Sequence, residues 1–295
     1  MLKTEIQMRD PFVVPDRKTG TYYMFGTTDK DPWKSPGVGF DCYTSKDLEH
    51  WDGPIPAFRP EPGFWGTHNF WAPEVHEFRG RWYMFASFAA EGKRRGTQIL
   101  AADLPAGPYR VHSPRPITPP DWECLDGTLY VDSDGSPWMV FCHEWTQIGN
   151  GEVRAVRLYE DLTEPAGEPL LLFTASQAPW TRSHTTKPGS PDNGHRVTDG
   201  PFMHRTADGT LLMLWSSFSG NGYAMGVARS ESGRIEGPWT HLPEPIADDD
   251  SGHGMAFRAF DGRLYITVHK PNKTPFERPV FIEIDDRDGT VSMKR

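Results

Sequence analysis

Short apolar segments alternate with polar turns along the whole chain, and one pattern recurs about every 55 residues. Each occurrence reads as a strand, a turn containing glycine, and a second strand rich in Tyr, Trp, Met and Val. Runs of this kind, bounded by turn residues, predict antiparallel hairpins. The five occurrences span residues 9–28, 71–88, 125–141, 198–215 and 252–269.

Four of the five units continue into a third apolar segment that ends in Ser or Asp, a turn, and Trp or Pro, at 43–51, 101–109, 156–167 and 228–239. This continuation is typical of the outer part of a four-stranded blade. We therefore predict an all-β, five-bladed β-propeller forming a single domain over 1–295. The predicted blades are 8–58, 70–118, 124–173, 196–242 and 252–295. A β-sandwich with repetitive hairpins is the alternative.

Composition and charge limit the kinds of partner that such a domain is expected to bind. The 295 residues carry a formal net charge of −9 without a basic stripe, which argues against nucleic-acid and membrane partners. The three cysteines show no CxxC spacing, so we expect free thiols and no zinc site. The first residues contain no apolar signal core. We therefore expect a cytoplasmic protein, and the sequence leaves its oligomeric state open.

Carboxylates recur at one position of the repeat. Asp10, Asp126 and Asp199 each stand at the start of a unit's first strand, immediately before Gly or Pro. The matching places in the other two units read Pro73-Glu74 and His253-Gly254. Because the first strand of each blade lines the propeller axis, these residues are predicted to meet in one pocket. Crowded carboxylates shift one another's pKa, which is common at catalytic sites.

The order of several short motifs resembles that of family 43 glycoside hydrolases. These motifs are RDP, FWAPEV, LDGTLYVDSDG, TDGPF and SGHG, one at the start of each unit. The resemblance implies a propeller that hydrolyses α-L-arabinofuranosides or β-D-xylosides with inversion, and we expect exo action on oligosaccharides. It also implies a general base at Asp10, a pKa-setting carboxylate at Asp126 and a general acid at Asp199. No cofactor is expected for the chemistry.

The predicted acid departs from the family pattern, which has Glu where this chain has Asp199. Three interpretations stay open. Asp199 is the acid despite its shorter side chain, or Glu144 in FCHEWTQ takes that role, or the acid is lost. The last interpretation predicts a non-catalytic or very weakly active glycan-binding propeller. If Asp199 is the acid, Glu144 is expected to bind a sugar hydroxyl.

Further residues are predicted to shape the site. Phe70 and Trp71 are candidates for substrate binding, with Trp71 as a stacking wall for a sugar ring. The polar segment 175–196 has no strand pattern and is a candidate lid or subsite wall. In the resemblance, His253 marks a central-channel cation, either calcium or a monovalent ion, bound largely through water.

Overall fold

The structure, a computed structural model, describes residues 1–184 and 193–294. The described strands form five four-stranded antiparallel sheets, each built from consecutive strands in chain order. The innermost strands of neighbouring sheets pack around a common axis. The predicted all-β, five-bladed propeller is therefore confirmed, and the β-sandwich alternative is wrong.

The strand bounds show how regularly each blade follows the repeat. Blades one and two contain β1 Arg9–Asp16, β2 Thr21–Thr27, β3 Phe40–Ser45, β4 Trp51–Phe58, β5 His68–Phe78, β6 Arg81–Ala90, β7 Lys93–Ala102 and β8 Arg110–Val111. Blade three contains β9 Cys124–Val131, β10 Pro137–His143, β11 Glu152–Arg157 and β12 Leu170–Thr174. Blades four and five contain β13 Asp199–Arg205, β14 Leu211–Ser219, β15 Gly222–Ser230, β16 Trp239–His241, β17 Ala256–Arg258, β18 Leu264–Lys270, β19 Arg278–Asp285 and β20 Ser292–Met293.

Helical structure is minor in the described residues. One short α-helix, α1 Trp145–Ile148, follows β10, and 3₁₀ turns occur at Lys3–Glu5 and Ala175–Gln177. None of these helices is long and apolar enough to cross a membrane. The only described α-helix nevertheless matters for the site, because it begins directly after Glu144.

The hydrophobic core fills the spaces between blades. It includes Phe70, which was predicted to bind substrate. Phe70 is only 1% exposed. Its ring centroid lies 4.9 Å from that of Phe88 and 6.0 Å from that of Phe40. Successive side chains of a strand point to opposite faces, so Phe70 faces the core while its neighbour Trp71 faces the pocket. The substrate-binding prediction for Phe70 is therefore wrong; burial of this ring contributes roughly 1.5–3 kcal/mol to stability.

Among the described strands, blades five and one share no sheet. Hydrogen bonds between side chains and backbone therefore join these two blades and close the ring. The Thr267 hydroxyl donates a 2.6 Å hydrogen bond to the Pro11 carbonyl. The backbone N–H of Phe260 donates to the Tyr22 hydroxyl at 2.7 Å. These contacts fix β1 against blade five, and so fix the first aspartate of the pocket.

Candidate active site

A left-handed backbone turn marks the same corner in all five blades. Near the start of each innermost strand, a residue of positive φ stands at the matching position: Asp10 at 55°, Ala72 at 45°, Asp126 at 57°, Gly200 at 50° and His253 at 46°. Non-glycine residues rarely adopt this conformation, and when they do the surrounding structure must enforce it. Five such corners around one axis therefore indicate a built feature of the fold.

We call these five residues of positive φ the corner residues. The backbone N–H of a corner residue donates a hydrogen bond to a side chain on the second strand of the preceding blade. Four corners follow this rule, with donor and acceptor as follows: Ala72 to Thr27 Oγ1 at 2.9 Å, Asp126 to Ser87 Oγ at 2.9 Å, His253 to Ser216 Oγ at 2.8 Å, and Asp10 to His269 Nδ1 at 3.2 Å. Each acceptor thus joins two neighbouring blades at the rim of the pocket.

The junction between blades three and four departs from the rule. Cys142 pairs with Leu125 in the register that Ser216 has with Asp199, so a thiol stands where the other blades have a stronger acceptor. The Gly200 N–H instead donates to Asp126 Oδ2 at 3.0 Å. The carboxylate of one corner therefore anchors the backbone of the next.

Blade four also shifts its carboxylate by one residue. The sequence placed Asp199 at the same corner as Asp10, but the corner residue is Gly200. A Cβ on Gly200 would come within 2.5–2.9 Å of His253 ring atoms, so no side chain fits there. The carboxylate of this blade therefore comes from the preceding residue, Asp199.

One cavity of about 490 Å³ gathers the predicted site residues. All three aspartates line it, as do Glu144, Trp71 and His253, whereas Phe70 does not. Its complete lining is Arg9, Asp10, Thr27, Trp33, Trp71, Leu125, Asp126, Glu144, Trp145, His184, Val197, Asp199, Phe218, Tyr223, His253, Asn272 and Thr274.

Asp10 lies among positively polarised groups. Its Oδ2 accepts a 2.6 Å hydrogen bond from the Thr27 hydroxyl, and its Oδ1 lies 3.1 Å from His253 Nδ1. Burial alone would raise the pKa of Asp10, but His253, Arg9 and the Thr27 hydroxyl outweigh it and lower that pKa below its ordinary value. Asp10 is therefore an ionised carboxylate at neutral pH.

His269 supports Asp10 as a neutral ring. Burial, followed by the charge of Arg9, lowers the pKa of His269 to about 3. Its Nδ1 accepts the Asp10 N–H, so the ring proton is on Nε2, which donates to Asn272 Oδ1 at 3.1 Å. Arg9 Nη2 donates to the same Asn272 oxygen at 2.6 Å. This chain of contacts fixes the orientation of Asp10 from blade five.

Asp126 and Asp199 have the opposite electrostatic character. Burial and then the charge of Asp10 raise the pKa of Asp126 well above its ordinary value, although the Gly200 hydrogen bond acts against this. Burial and then the charge of Asp126 raise the pKa of Asp199 to about 7, and the Tyr223 hydroxyl, 3.0 Å from Asp199 Oδ2, acts against this. The pocket therefore keeps a proton on the Asp126–Asp199 side and none on Asp10 near neutral pH.

Glu144 lies in the same cavity but is committed to another partner. Its Oε2 forms a close ion pair with Arg95 Nη1, and Arg95 Nη2 donates to Asn69 Oδ1 at 3.3 Å. The Arg95 guanidinium also lies 4.3 Å from the Trp71 ring centroid. Glu144 and Trp71 thus belong to one rigid wall of the pocket, on the side of blades two and three.

Several lining residues were not found from the sequence. Tyr223 lies on a third strand, whose alternating pattern does not distinguish a pocket residue from a core residue; the same holds for His269, which is buried behind Asp10 on a second strand. Trp33 lies in the irregular loop between β2 and β3, where no periodicity applies. The segment DPWKSPG carried the only signal, an aromatic residue within a polar, proline-rich loop.

His253 was predicted to bind a cation. Its Nε2 is buried and has no hydrogen-bond partner among the described residues, whereas its Nδ1 faces Asp10. The described residues contain no group of three or more His, Cys, Asp or Glu side chains placed to hold a metal ion. The free Nε2 fits a cation held otherwise by water, and this cation stays a prediction.

The predicted wall segment 175–196 is described in part. Ala175 and Trp180 are buried and pack in the core beneath blade four, so they are not available to substrate. His184 does reach the cavity, where its ring packs 4.3 Å from that of Phe218. Residues 185–192 of the segment lie outside the described residues.

Comparisons with known proteins agree with this geometry. The family described as Glycosyl hydrolases family 43 matches residues 4–290. The chain is 29% identical to an extracellular exo-α-(1→5)-L-arabinofuranosidase of Cellvibrio japonicus, over 90% of this chain and 79% of that protein.

Solved structures extend the likeness. An endo-arabinase of Bacteroides thetaiotaomicron superimposes with a TM-score of 0.90 at 42% identity, covering 98% of both chains. An exo-1,5-α-L-arabinanase from a bovine ruminal metagenomic library superimposes with a TM-score of 0.67 at 23% identity, covering 98% of this chain and 97% of that one. That likeness concerns the fold alone. Together with the match over nearly the whole sequence, these findings show that the chain belongs to glycoside hydrolase family 43, whose members are inverting glycoside hydrolases.

Proposed function

We propose that this protein is an exo-acting α-L-arabinofuranosidase that removes terminal arabinose from short oligosaccharides with inversion. The observation that carries the proposal is the placement of two aspartates in one cavity with opposite surroundings: a hydroxyl donor and a histidine at Asp10, and a second carboxyl group near Asp199. Asp10 is ionised, and Asp199 is poised to hold a proton near pH 7. Inverting hydrolysis needs one group of each kind, on opposite sides of the scissile bond.

In this proposal Asp10 is the general base. One oxygen is held by Thr27, and the other faces His253 and the cavity. An ionised carboxylate in that position can take a proton from a water molecule as it attacks the anomeric carbon. A cation bound to His253 Nε2 would add positive charge beside Asp10, and no proton transfer passes through it.

Asp199 is the general acid. With its Oδ2 accepting from Tyr223, its other oxygen is left to carry the proton that is delivered to the leaving oxygen. A pKa of about 7 suits this task, because proton transfer is most efficient when the pKa lies near the working pH. Asp126 positions the acid by accepting the Gly200 N–H. Because the two buried carboxyl groups share one proton, the ionised form of Asp126, which this hydrogen bond favours, goes with the protonated form of Asp199.

The names of two relatives support arabinose as the sugar. Both the Cellvibrio japonicus arabinofuranosidase and the Bacteroides thetaiotaomicron endo-arabinase are named for arabinose substrates. The wall formed by Trp71, Arg95 and Glu144 offers an aromatic face and a carboxylate, which together suit the apolar face and hydroxyl groups of a pentose.

The mode of action has a second candidate. The 42% identity to a protein named as an endo-arabinase favours endo cleavage of arabinan. The exo proposal is supported by the Cellvibrio japonicus relative, which is named as an exo-acting arabinofuranosidase. The two modes differ in their first products, since an exo enzyme releases one short sugar and an endo enzyme releases a mixture.

The test uses a panel of substrates with two measurements. We expect nitrophenyl α-L-arabinofuranoside to be cleaved faster than nitrophenyl β-D-xyloside, and NMR to show the inverted β-arabinose as the first product. We also expect linear α-1,5-arabinan oligosaccharides to yield arabinose alone at early times. Faster cleavage of the xyloside would overturn the choice of sugar, and early mixed oligosaccharides would overturn the exo mode.

A further inference from the structure

Trp33 is a half-exposed aromatic residue at the mouth of the cavity. Its side chain is 50% exposed although it lines the pocket. The Arg9 guanidinium lies 4.9 Å from its ring centroid, and the Trp71 ring packs edge-on at 5.0 Å. Aromatic rings beside a sugar pocket present a flat apolar surface that can pack against a sugar, so Trp33 is placed to contact the substrate.

The loop that carries Trp33 is held in place at three successive residues. The Trp33 indole N–H donates to Thr274 Oγ1 of blade five at 3.0 Å, and its backbone N–H donates to Asp31 Oδ1 at 3.2 Å. The Pro32 carbonyl accepts from the Trp71 indole at 2.8 Å. The ring is therefore preorganised, and no ordering entropy has to be lost when substrate binds.

The position of Trp33 relative to Asp10 and Asp199 decides which part of a substrate it would meet. Trp33 stacks on Arg9, the residue before the base Asp10, whereas the acid Asp199 comes from blade four. In inverting hydrolysis, the base side of the sugar faces away from the leaving group. In an α-L-arabinofuranoside, C5 and the leaving oxygen lie on opposite faces of the ring. C5 therefore points to the base side, where Trp33 stands.

From this juxtaposition we propose that Trp33 closes the pocket beyond O5 of the bound arabinose and so restricts the enzyme to the ends of α-1,5-linked chains. This rests on the proposed function, since a 1,5-linked chain continues through O5. A chain-internal residue would need the space that the indole ring and its Thr274 hydrogen bond fill. Trp33 would thus determine mode of action while leaving the chemistry to the aspartates.

The experiment compares Trp33→Ala with wild type on two substrates: α-1,5-arabinotriose and the same trisaccharide methylated at its terminal O5. We expect wild type to cleave the capped substrate about 10²-fold less efficiently in kcat/KM, and Trp33→Ala to reduce this discrimination to below about tenfold. Trp33→Ala is also expected to release oligosaccharides from linear arabinan.

Matched variants separate closure from misfolding. Trp33→Phe keeps a ring and should keep most of the discrimination. Phe276→Ala removes another exposed aromatic residue, one that does not line the cavity, and should behave as wild type. Discrimination is a ratio of two kcat/KM values on substrates that differ only at O5, so a general loss of activity in Trp33→Ala, through Arg9 or Asp10, cancels from it.

The outcomes distinguish the two proposals. A wild type that cleaves capped and uncapped trisaccharides equally contradicts the exo mode itself and, with it, the role of Trp33. A wild type that discriminates, together with a Trp33→Ala variant that discriminates just as strongly, contradicts the role of Trp33 alone.

Discussion

Blades one and four have the same left-handed turn at their corners, but the aspartates placed there, Asp10 and Asp199, differ in their pKa. In blade one the corner residue is Asp10 itself, and its N–H is accepted by the neutral ring of His269. In blade four the corner residue is Gly200, its N–H is accepted by the carboxylate of Asp126, and Asp199 comes one residue earlier. A shared backbone feature therefore places two aspartates in one cavity without giving them the same surroundings.

The difference in their neighbours explains the difference in protonation. Asp10 has His253, an arginine and a hydroxyl around it, and together they outweigh the cost of burial. Asp199 has a second carboxylate as its strongest charged neighbour, which adds to that cost. The propeller repeat thus positions carboxylates, and the blade-specific neighbours assign a base and an acid.

The largest loss of activity is expected when the Asp10 carboxylate of blade one is replaced by an amide. Asp10→Asn should keep the fold but lower kcat on an arabinose disaccharide by roughly 10²–10⁴-fold, because no group remains to deprotonate water. Steady-state kinetics and thermal unfolding measure the two effects. Asp16→Asn, at the far end of the same strand, is the control. An Asp10→Asn enzyme within about twofold of wild type would remove Asp10 from the mechanism.

A smaller effect, on the pH dependence of kcat/KM, is expected when the charge of Asp126 is removed. In wild type, kcat/KM should fall as pH rises through about 7, where Asp199 loses its proton, and should fall on the acid side only below the ordinary carboxyl range, where Asp10 gains one. Asp126→Asn removes the negative charge that raises the pKa of Asp199. The alkaline limb should therefore move to lower pH, with about a tenfold loss of activity at pH 7.

This shift has a clear contrary result. If the alkaline limb of Asp126→Asn stays in place or moves to higher pH, the Asp126 charge does not set the protonation of the acid. The profile of kcat/KM must be used, since it reports ionisations of the free enzyme.

The smallest effect is expected from Tyr223, with the opposite sign. Its hydroxyl stabilises the ionised form of Asp199, so Tyr223→Phe should raise the pKa of Asp199 and move the alkaline limb to higher pH. A single hydrogen bond of about 1 kcal/mol corresponds to a shift of less than one pH unit. Comparison of the Tyr223→Phe and Asp126→Asn profiles sharpens the account, because shifts of the same sign would contradict it.

The repeat and two of the three aspartate positions were predictable from the sequence because they depend on local chemistry. Turn glycines and alternating strands define the blades, and Asp10 and Asp126 each precede an apolar strand at the start of a blade. The one-residue shift at Gly200 was not predictable, since it depends on the His253 ring of another blade filling the space of a Cβ.

The positions of Phe70 and Trp33 were not predicted correctly from the sequence, each for a different reason. Phe70 and Trp71 are adjacent and were both predicted to bind substrate, but neighbouring side chains of a strand point to opposite faces, so only one of them can face the pocket. Trp33 lies in an irregular loop, and its place over Arg9 depends on a hydrogen bond to Thr274, about 240 residues away in sequence. Long-range packing of this kind leaves no periodic signal.

The central claim, that Asp199 and not Glu144 protonates the leaving group, is tested most directly by the dependence on leaving-group ability. Asp199→Asn and Glu144→Gln both keep an acceptor oxygen for Tyr223 and Arg95, respectively, and both remove a carboxyl group. Each variant is compared with wild type on a dinitrophenyl α-L-arabinofuranoside, which needs little protonation, and on arabinobiose, which needs it fully. The account predicts that Asp199→Asn loses far more activity on arabinobiose than on the aryl substrate, by a factor of about 10² or more, and that Glu144→Gln loses similar activity on both. A selective loss in Glu144→Gln alone would contradict it and assign the acid to Glu144.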